Sequence, residues 1–183
     1  MARAGRFLLV TSALALAGCG DQLFEPRWFA APDTAVLFSL ARPELELESA
    51  FNFGERTTIP LQRPGATNQW DIALDTQGGQ LVLLTPAALG ITSHVRVATL
   101  PGQTFDQVEE APADTLLYTA STPVPVQLNA VYIVRTDVRP SSPCSRYAKL
   151  QPITLDVAAG RLEFMYDFNP LCNDRRLVAP DTI

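Results

Sequence analysis

The chain has 183 residues, 47% of them hydrophobic and 18% charged, enough apolar material for one buried core and too much for a disordered tail. Fifteen prolines, all after residue 25, cut the sequence into short stretches and exclude coiled coils and helical bundles, because each proline removes a backbone donor and clashes with the preceding turn. The formal net charge is −5, so the surface repels phosphate backbones and a nucleic-acid role has no support.

Residues 1–18 carry Arg3 and Arg6, an apolar run from Phe7 to Ala17 and then small residues, the order of a secretory signal peptide. That run is too short to span a bilayer. Leu16-Ala17-Gly18-Cys19 matches the bacterial lipobox, whose cysteine thiol becomes a diacylglycerol thioether and the new first residue. Ala15-Leu16-Ala17 would also serve as an ordinary small-x-small cleavage site, so the two readings differ in the fate of Cys19. On the lipobox reading, loss of Arg3 and Arg6 leaves 12 basic against 19 acidic residues, a net of −7. The acyl chains on Cys19 would anchor the protein, at about 0.8 kcal/mol per buried methylene, without the chain spanning the membrane. Gly20, rather than an aspartate, follows the cysteine, which points to the outer membrane, at its periplasmic leaflet or the cell surface. Residues 19–33, with Phe24, Trp28 and Phe29, read as a tether to a single domain over 34–183.

Within that domain the period-2 signal recurs, and the expectation is an all-β fold of mostly antiparallel short strands. Residues 35–40 form the first predicted strand. Leu45, Leu47, Ser49, Phe51 and Phe53 alternate with Glu44, Glu46, Glu48, Ala50 and Asn52, which predicts a strand with an apolar and an acidic face. Trp70, Ile72 and Leu74 alternate with Asp71, Ala73 and Asp75, and Gly78-Gly79 turns this strand into Gln80–Thr85. Further strands are expected at 94–100, 115–119 and 130–136. The intervening stretch 101–114 is the longest polar interval and reads as a surface loop, or one helical turn, placed to cover a ligand site.

Residues 146–157 and 161–168 predict a closing hairpin turned at Ala158-Ala159-Gly160. Facing residues in such a hairpin have numbers that sum to a constant, here between about 316 and 318. Cys144 and Cys172 sum to 316, which places them opposite each other at the open end as a disulfide; two free buried thiols are the alternative. Leu162, Phe164, Tyr166 and Phe168 share one face of the last strand and Met165 the other, where it is a packing residue or a soft axial ligand.

Catalytic motifs are absent. There is no G-x-S-x-G elbow, phosphate-binding glycine loop or C-x-x-C, and the single histidine, His94, would have to be the base of any Ser-His-Asp triad. The sequence therefore reads as a non-enzyme, with His94 either a solvated, capping imidazole or a ligand.

Three blocks in this order resemble the HmuY-like family of bacterial lipoproteins. They are Asn68-Gln69-Trp70-Asp71-Ile72-Ala73-Leu74, Val131-Tyr132-Ile133-Val134-Arg135-Thr136, and Tyr147-Ala148-Lys149-Leu150-Gln151 followed by Gly160-Arg161-Leu162-Glu163-Phe164-Met165-Tyr166. With Phe38-Ser39-Leu40 they span roughly residues 36–168. The resemblance implies an almost all-β fold that holds haem in a cleft at the outer membrane or cell surface, and haem is the cofactor it brings. The family's best-known haem binders use two axial histidines or methionines between the first and second blocks. This chain offers His94 in that interval, and Tyr118 falls near one of the axial positions. The expected function is accordingly a lipid-anchored protein that captures haem or another planar apolar ligand through His94, Tyr118 or Met165. The alternative is a structural lipoprotein that keeps the fold and binds an outer-membrane protein partner.

Overall fold

The computed structural model describes Trp28 and residues 31–140 and 142–179; the signal-peptide reading, Cys19 and most of the 19–33 tether lie outside the described residues. Two antiparallel sheets are stacked. One has six strands in the order β1 (Asp33–Phe38), β11 (Arg161–Asn169), β10 (Tyr147–Asp156), β9 (Ala130–Arg135), β6 (Arg96–Pro101) and β7 (Tyr118–Thr119). The other has five, ordered β3 (Thr57–Ile59), β2 (Ala50–Asn52), β4 (Ile72–Gln77), β5 (Gln80–Leu84) and β8 (Val124–Pro125). Helix among the described residues is confined to 310 turns at Pro86–Leu89, Phe105–Gln107 and Thr115–Leu117. The all-β expectation holds.

Alternation along the strands builds the core. Leu37, Ile72, Leu74, Leu81, Leu83, Tyr132, Val134, Leu150 and Leu162 meet between the sheets. Phe51, Phe53, Phe164 and Tyr166 form an aromatic cluster there, with edge-on contacts such as Phe51–Tyr166 at 4.8 Å between ring centroids. Such geometry suits the ring quadrupole, which favours edge-to-face over stacked pairs. The outer faces are also covered. Val131 and Ile133, which alternate with Tyr132 and Val134, pack under Val108, Ala111 and Leu177. Trp70, Ala73, Val82 and Leu84 make a third cluster with Leu61, Ala88 and Ile91.

The β4–β5 hairpin turns at Gly78-Gly79, whose φ angles of 58° and 79° are those a two-residue hairpin turn demands. In the β10–β11 hairpin, Asp156 faces Arg161, the register shifts at a bulge between Pro152 and Thr154, and Tyr147 faces Asn169. Pro152 sits beyond Leu150, the last β10 residue paired with β9, so its missing N–H leaves no partner on that side unsatisfied. Cys144 and Cys172 are disulfide-bonded with Cα atoms 5.5 Å apart, as the hairpin arithmetic requires.

Two expected strands are shorter than their patterns. The Leu45–Phe53 alternation yields only Ala50–Asn52; Leu45 is exposed, and Leu47 N–H donates to Glu44 O in a turn. Pro43 and two backbone turn bonds, Arg42 N–H to Ser39 O at 3.0 Å and Leu47 N–H to Glu44 O at 3.2 Å, bend the chain where extension was expected. In 115–119, Asp114 caps a 310 turn by accepting from Leu116 N–H, leaving Tyr118–Thr119 extended.

Candidate functional site

Beneath the first cavity lies a chain of contacts that starts at Asp71, the aspartate of the Trp-Asp block, and ends at lining residues Asp137, Arg139 and His94. Period-2 alternation would send it to solvent, yet it is fully buried. Its carboxylate accepts from Phe53 N–H at 2.9 Å, from Asp137 N–H at 3.3 Å and from Arg139 Nη2 at 2.7 Å. Burial pushes this carboxyl up, against the Arg139 charge and the two amide bonds, which favour the ionised form. Arg139 also donates to the carbonyls of Asn68 and Trp70. Asp71 thus fixes the chain after β9 against the entry to β4, and in doing so sets the position of Asp137.

Asp137 in turn fixes His94. Its carboxylate accepts from His94 N–H at 2.9 Å, from Ser93 Oγ at 2.8 Å and from Val138 N–H at 2.9 Å, and its Oδ1 lies 3.2 Å from His94 Nδ1. Burial raises the Asp137 carboxyl, but these hydrogen bonds outweigh it and hold the group below the usual carboxylate range. A carboxylate in that state makes Nδ1 the donor and leaves the lone pair on Nε2. The imidazole is 69% exposed and borders a groove of about 840 Å³, with Thr57, Thr58, Ile59, Pro60, Thr67, Gln69, Val138 and Pro140 around it. Ser93 donates to Asp137 and not to His94, so serine, histidine and aspartate are not in relay order.

A second cavity, of about 330 Å³, lies on the outer face of the six-stranded sheet. Tyr118 and Tyr147 line it with Arg96, Arg135, Arg175 and the Pro112–Ala113 wall of the long loop. Tyr118 is half-buried, and its hydroxyl donates to Pro112 O at 3.2 Å. Burial, with a smaller push from Tyr147, raises its phenol well above the usual range, so Tyr118 is a neutral donor.

The loop over this face is pinned by Lys149, the only lysine. Its Nζ donates to Phe105 O and Val108 O, each at 2.9 Å, and sits 4.3 Å from the Phe105 ring centroid. Gln151 Oε1 accepts from Phe105 N–H at 2.7 Å. The C-terminal segment completes the cover, with Ala111 N–H donating to Arg175 O and Leu177 N–H to Glu109 O.

His94 and Tyr118 therefore border different cavities, and Met165 lines neither. Met165 is half-buried between Thr34 and Gln151, on the face of β11 opposite Leu162 and Phe164, as the alternation predicts. Nothing in the local pattern marks Asp137 as the partner of His94, because the two are 43 residues apart and meet only across the β6–β9 end. The arginine trio was legible in part: Arg135 shares the parity of Val131 and Ile133, a charge ending an apolar face, but its neighbours depend on register. No group of three His, Cys, Asp or Glu side chains poised for a metal ion occurs among the described residues. Compared with known proteins, the chain matches no family model and no curated protein.

Proposed function

We propose that this is a lipid-anchored binding protein of the bacterial outer membrane or cell surface, and that His94 is the ligating side chain of its haem site. The observation that carries the reading is the pairing of His94 Nδ1 with Asp137, which leaves Nε2 free at the edge of an 840 Å³ groove. Ligating histidines characteristically donate their second nitrogen to a carboxylate, which fixes the tautomer and raises the basicity of the first. The groove lies at the upper end of small-molecule pocket sizes. Ile59, Pro60, Val138 and Pro140 give it apolar contacts, and its threonines and amides give a polar rim. With one histidine in the sequence, iron would be held by a single imidazole nitrogen. The HmuY-like resemblance and the lipobox at Cys19 supply the ligand class and the anchorage; the absence of a relay among Ser93, His94 and Asp137 favours binding over hydrolysis.

Hemin titration of the full chain in detergent, followed in the Soret region, tests this. A saturable one-to-one shift is expected, lost in His94→Ala and kept in Tyr118→Phe. A non-saturating rise, or a shift indifferent to His94, would contradict it. The second reading, a lipoprotein that docks a protein partner, is favoured by Leu116 and Leu117, which stand 90% and 54% exposed beside the second cavity.

A further inference from the structure

The second cavity has a charge problem that its own residues do not solve. Arg96 on β6 faces Arg135 on β9, and Arg135 faces Tyr147 on β10, so the three stand in one row across the sheet. Directly opposed like charges on neighbouring strands are destabilising. Arg175 closes the row from the C-terminal segment, and no carboxylate lines the cavity. Two of the arginines have neighbours to satisfy them: Arg96 Nη1 donates to Val95 O at 2.8 Å, and Arg175 Nη2 pairs with Glu110 at 2.5 Å. Arg135 does not. Its Nε is buried and has no hydrogen-bond partner among the described residues. An orphaned buried donor on a cation costs more than a neutral one, and in native proteins such a group usually marks an absent partner. On a protein whose net charge is −5, three guanidinium groups around one 330 Å³ hollow are a local reversal of sign.

We propose that this cavity is a second binding site, for a small organic acid. Its carboxylate or phosphate group would sit on Arg135 between Arg96 and Arg175, and a compact aromatic or aliphatic body would lie against Tyr118, Tyr147 and Pro112. The guanidinium fork matches either oxyanion with two parallel hydrogen bonds. Tyr118, kept as a neutral phenol, presents an apolar ring to the rest of the ligand. A volume of about 330 Å³ fits a single-ring acid and not a macrocycle, and the cavity shares no lining residue with the His94 groove.

Calorimetric titration of the full chain in detergent with benzoate, phenyl phosphate and inorganic phosphate tests the proposal. One-to-one binding of benzoate or phenyl phosphate is expected, weakening as salt is raised and falling at least tenfold in Arg135→Gln. Inorganic phosphate, which lacks the apolar body, should bind at least tenfold more weakly than phenyl phosphate. His94→Ala should leave all three affinities unchanged, which separates this site from the haem reading. Thermal melting checks that Arg135→Gln is folded; if it is not, Arg175→Gln at the rim must show the same loss. No saturable binding of either aromatic probe to the folded protein, or equal affinity in the arginine variants, would overturn the proposal. Equal affinity for inorganic and phenyl phosphate would overturn its apolar half.

Discussion

At the scale of single residues, a chain of contacts from Asp71 to Asp137 to His94 sets the position of the imidazole. Removing the charge of Asp137 while keeping its shape tests the middle link. Asp137→Asn is expected to weaken hemin binding about tenfold, the lower end of what loss of a ligand's supporting carboxylate costs, because the imidazole loses its fixed tautomer. Unchanged affinity would show that His94 needs no orienting partner. The same carboxylate should be visible in acid. Its pKa is held below the usual range in the folded protein, so its contribution to stability is complete above about pH 4 and is lost as pH falls through the depressed value. The melting temperatures of wild type and Asp137→Asn should therefore differ at pH 7 and converge well below pH 4. A constant difference would mean that the carboxylate gains nothing from its hydrogen bonds. His94 was legible from the sequence only as a lone imidazole with two open readings. The ligand proposal rests on a carboxylate delivered from a distant turn, and no local pattern encodes that.

At the scale of elements, the strands that pair on both sides were the easiest to read. The β4–β5 and β10–β11 hairpins turn at the expected glycines, and the facing residues of the second have the expected sums. Where the pattern overreached, at Leu45 and Leu47, alternation was present but Pro43 and backbone turn bonds at Arg42 and Leu47 bent the chain before a partner strand could use it. The 101–114 loop was legible as a loop, and its cover of the sheet was not, because its anchor is a lysine on the outer face of β10. Lys149 and Gln151 look solvent-facing by parity, yet the loop folds back onto them. Lys149→Met keeps the apolar stem and removes the donor from two carbonyls. It should lower the unfolding free energy by about 2 kcal/mol in urea titration, within the range for leaving buried acceptors unpaired. It should also speed hydrogen exchange across residues 105–111. A variant as stable as wild type would show that the loop is held by Val108 and Ala111 packing alone.

At the scale of the whole molecule, both sheets are buried on two faces, which explains why Trp70, Asp71, Ile72, Ala73 and Leu74 are all inaccessible although they alternate in polarity. The sandwich places each cavity at a different surface. The His94 groove sits where the turn after β9 meets the start of β4, and the arginine cavity lies on the outer face of the six-stranded sheet. The Cys144–Cys172 bond closes the β10–β11 hairpin across 28 residues and holds the C-terminal segment, with Arg175, near that second cavity. Replacing both cysteines with serine should cost about 3.6 kcal/mol of stability in denaturant, the loop-closure value for a bridge of this span. It should also weaken any ligand held by Arg175 more than one held by His94. Loss of hemin binding together with the disulfide would mean that the two sites are coupled through the hairpin.

If His94 is the side chain that holds the iron, an iron–imidazole bond must form, and resonance Raman spectroscopy of the full chain in detergent with one equivalent of hemin, reduced without oxygen, detects that bond itself. His94 is the single histidine, so the iron–imidazole stretch should be present in wild type and absent in His94→Ala, which leaves only the spectrum of free haem. No such band in wild type, or bound haem with an unchanged spectrum in His94→Ala, would mean that the iron is held elsewhere in the molecule or not at all.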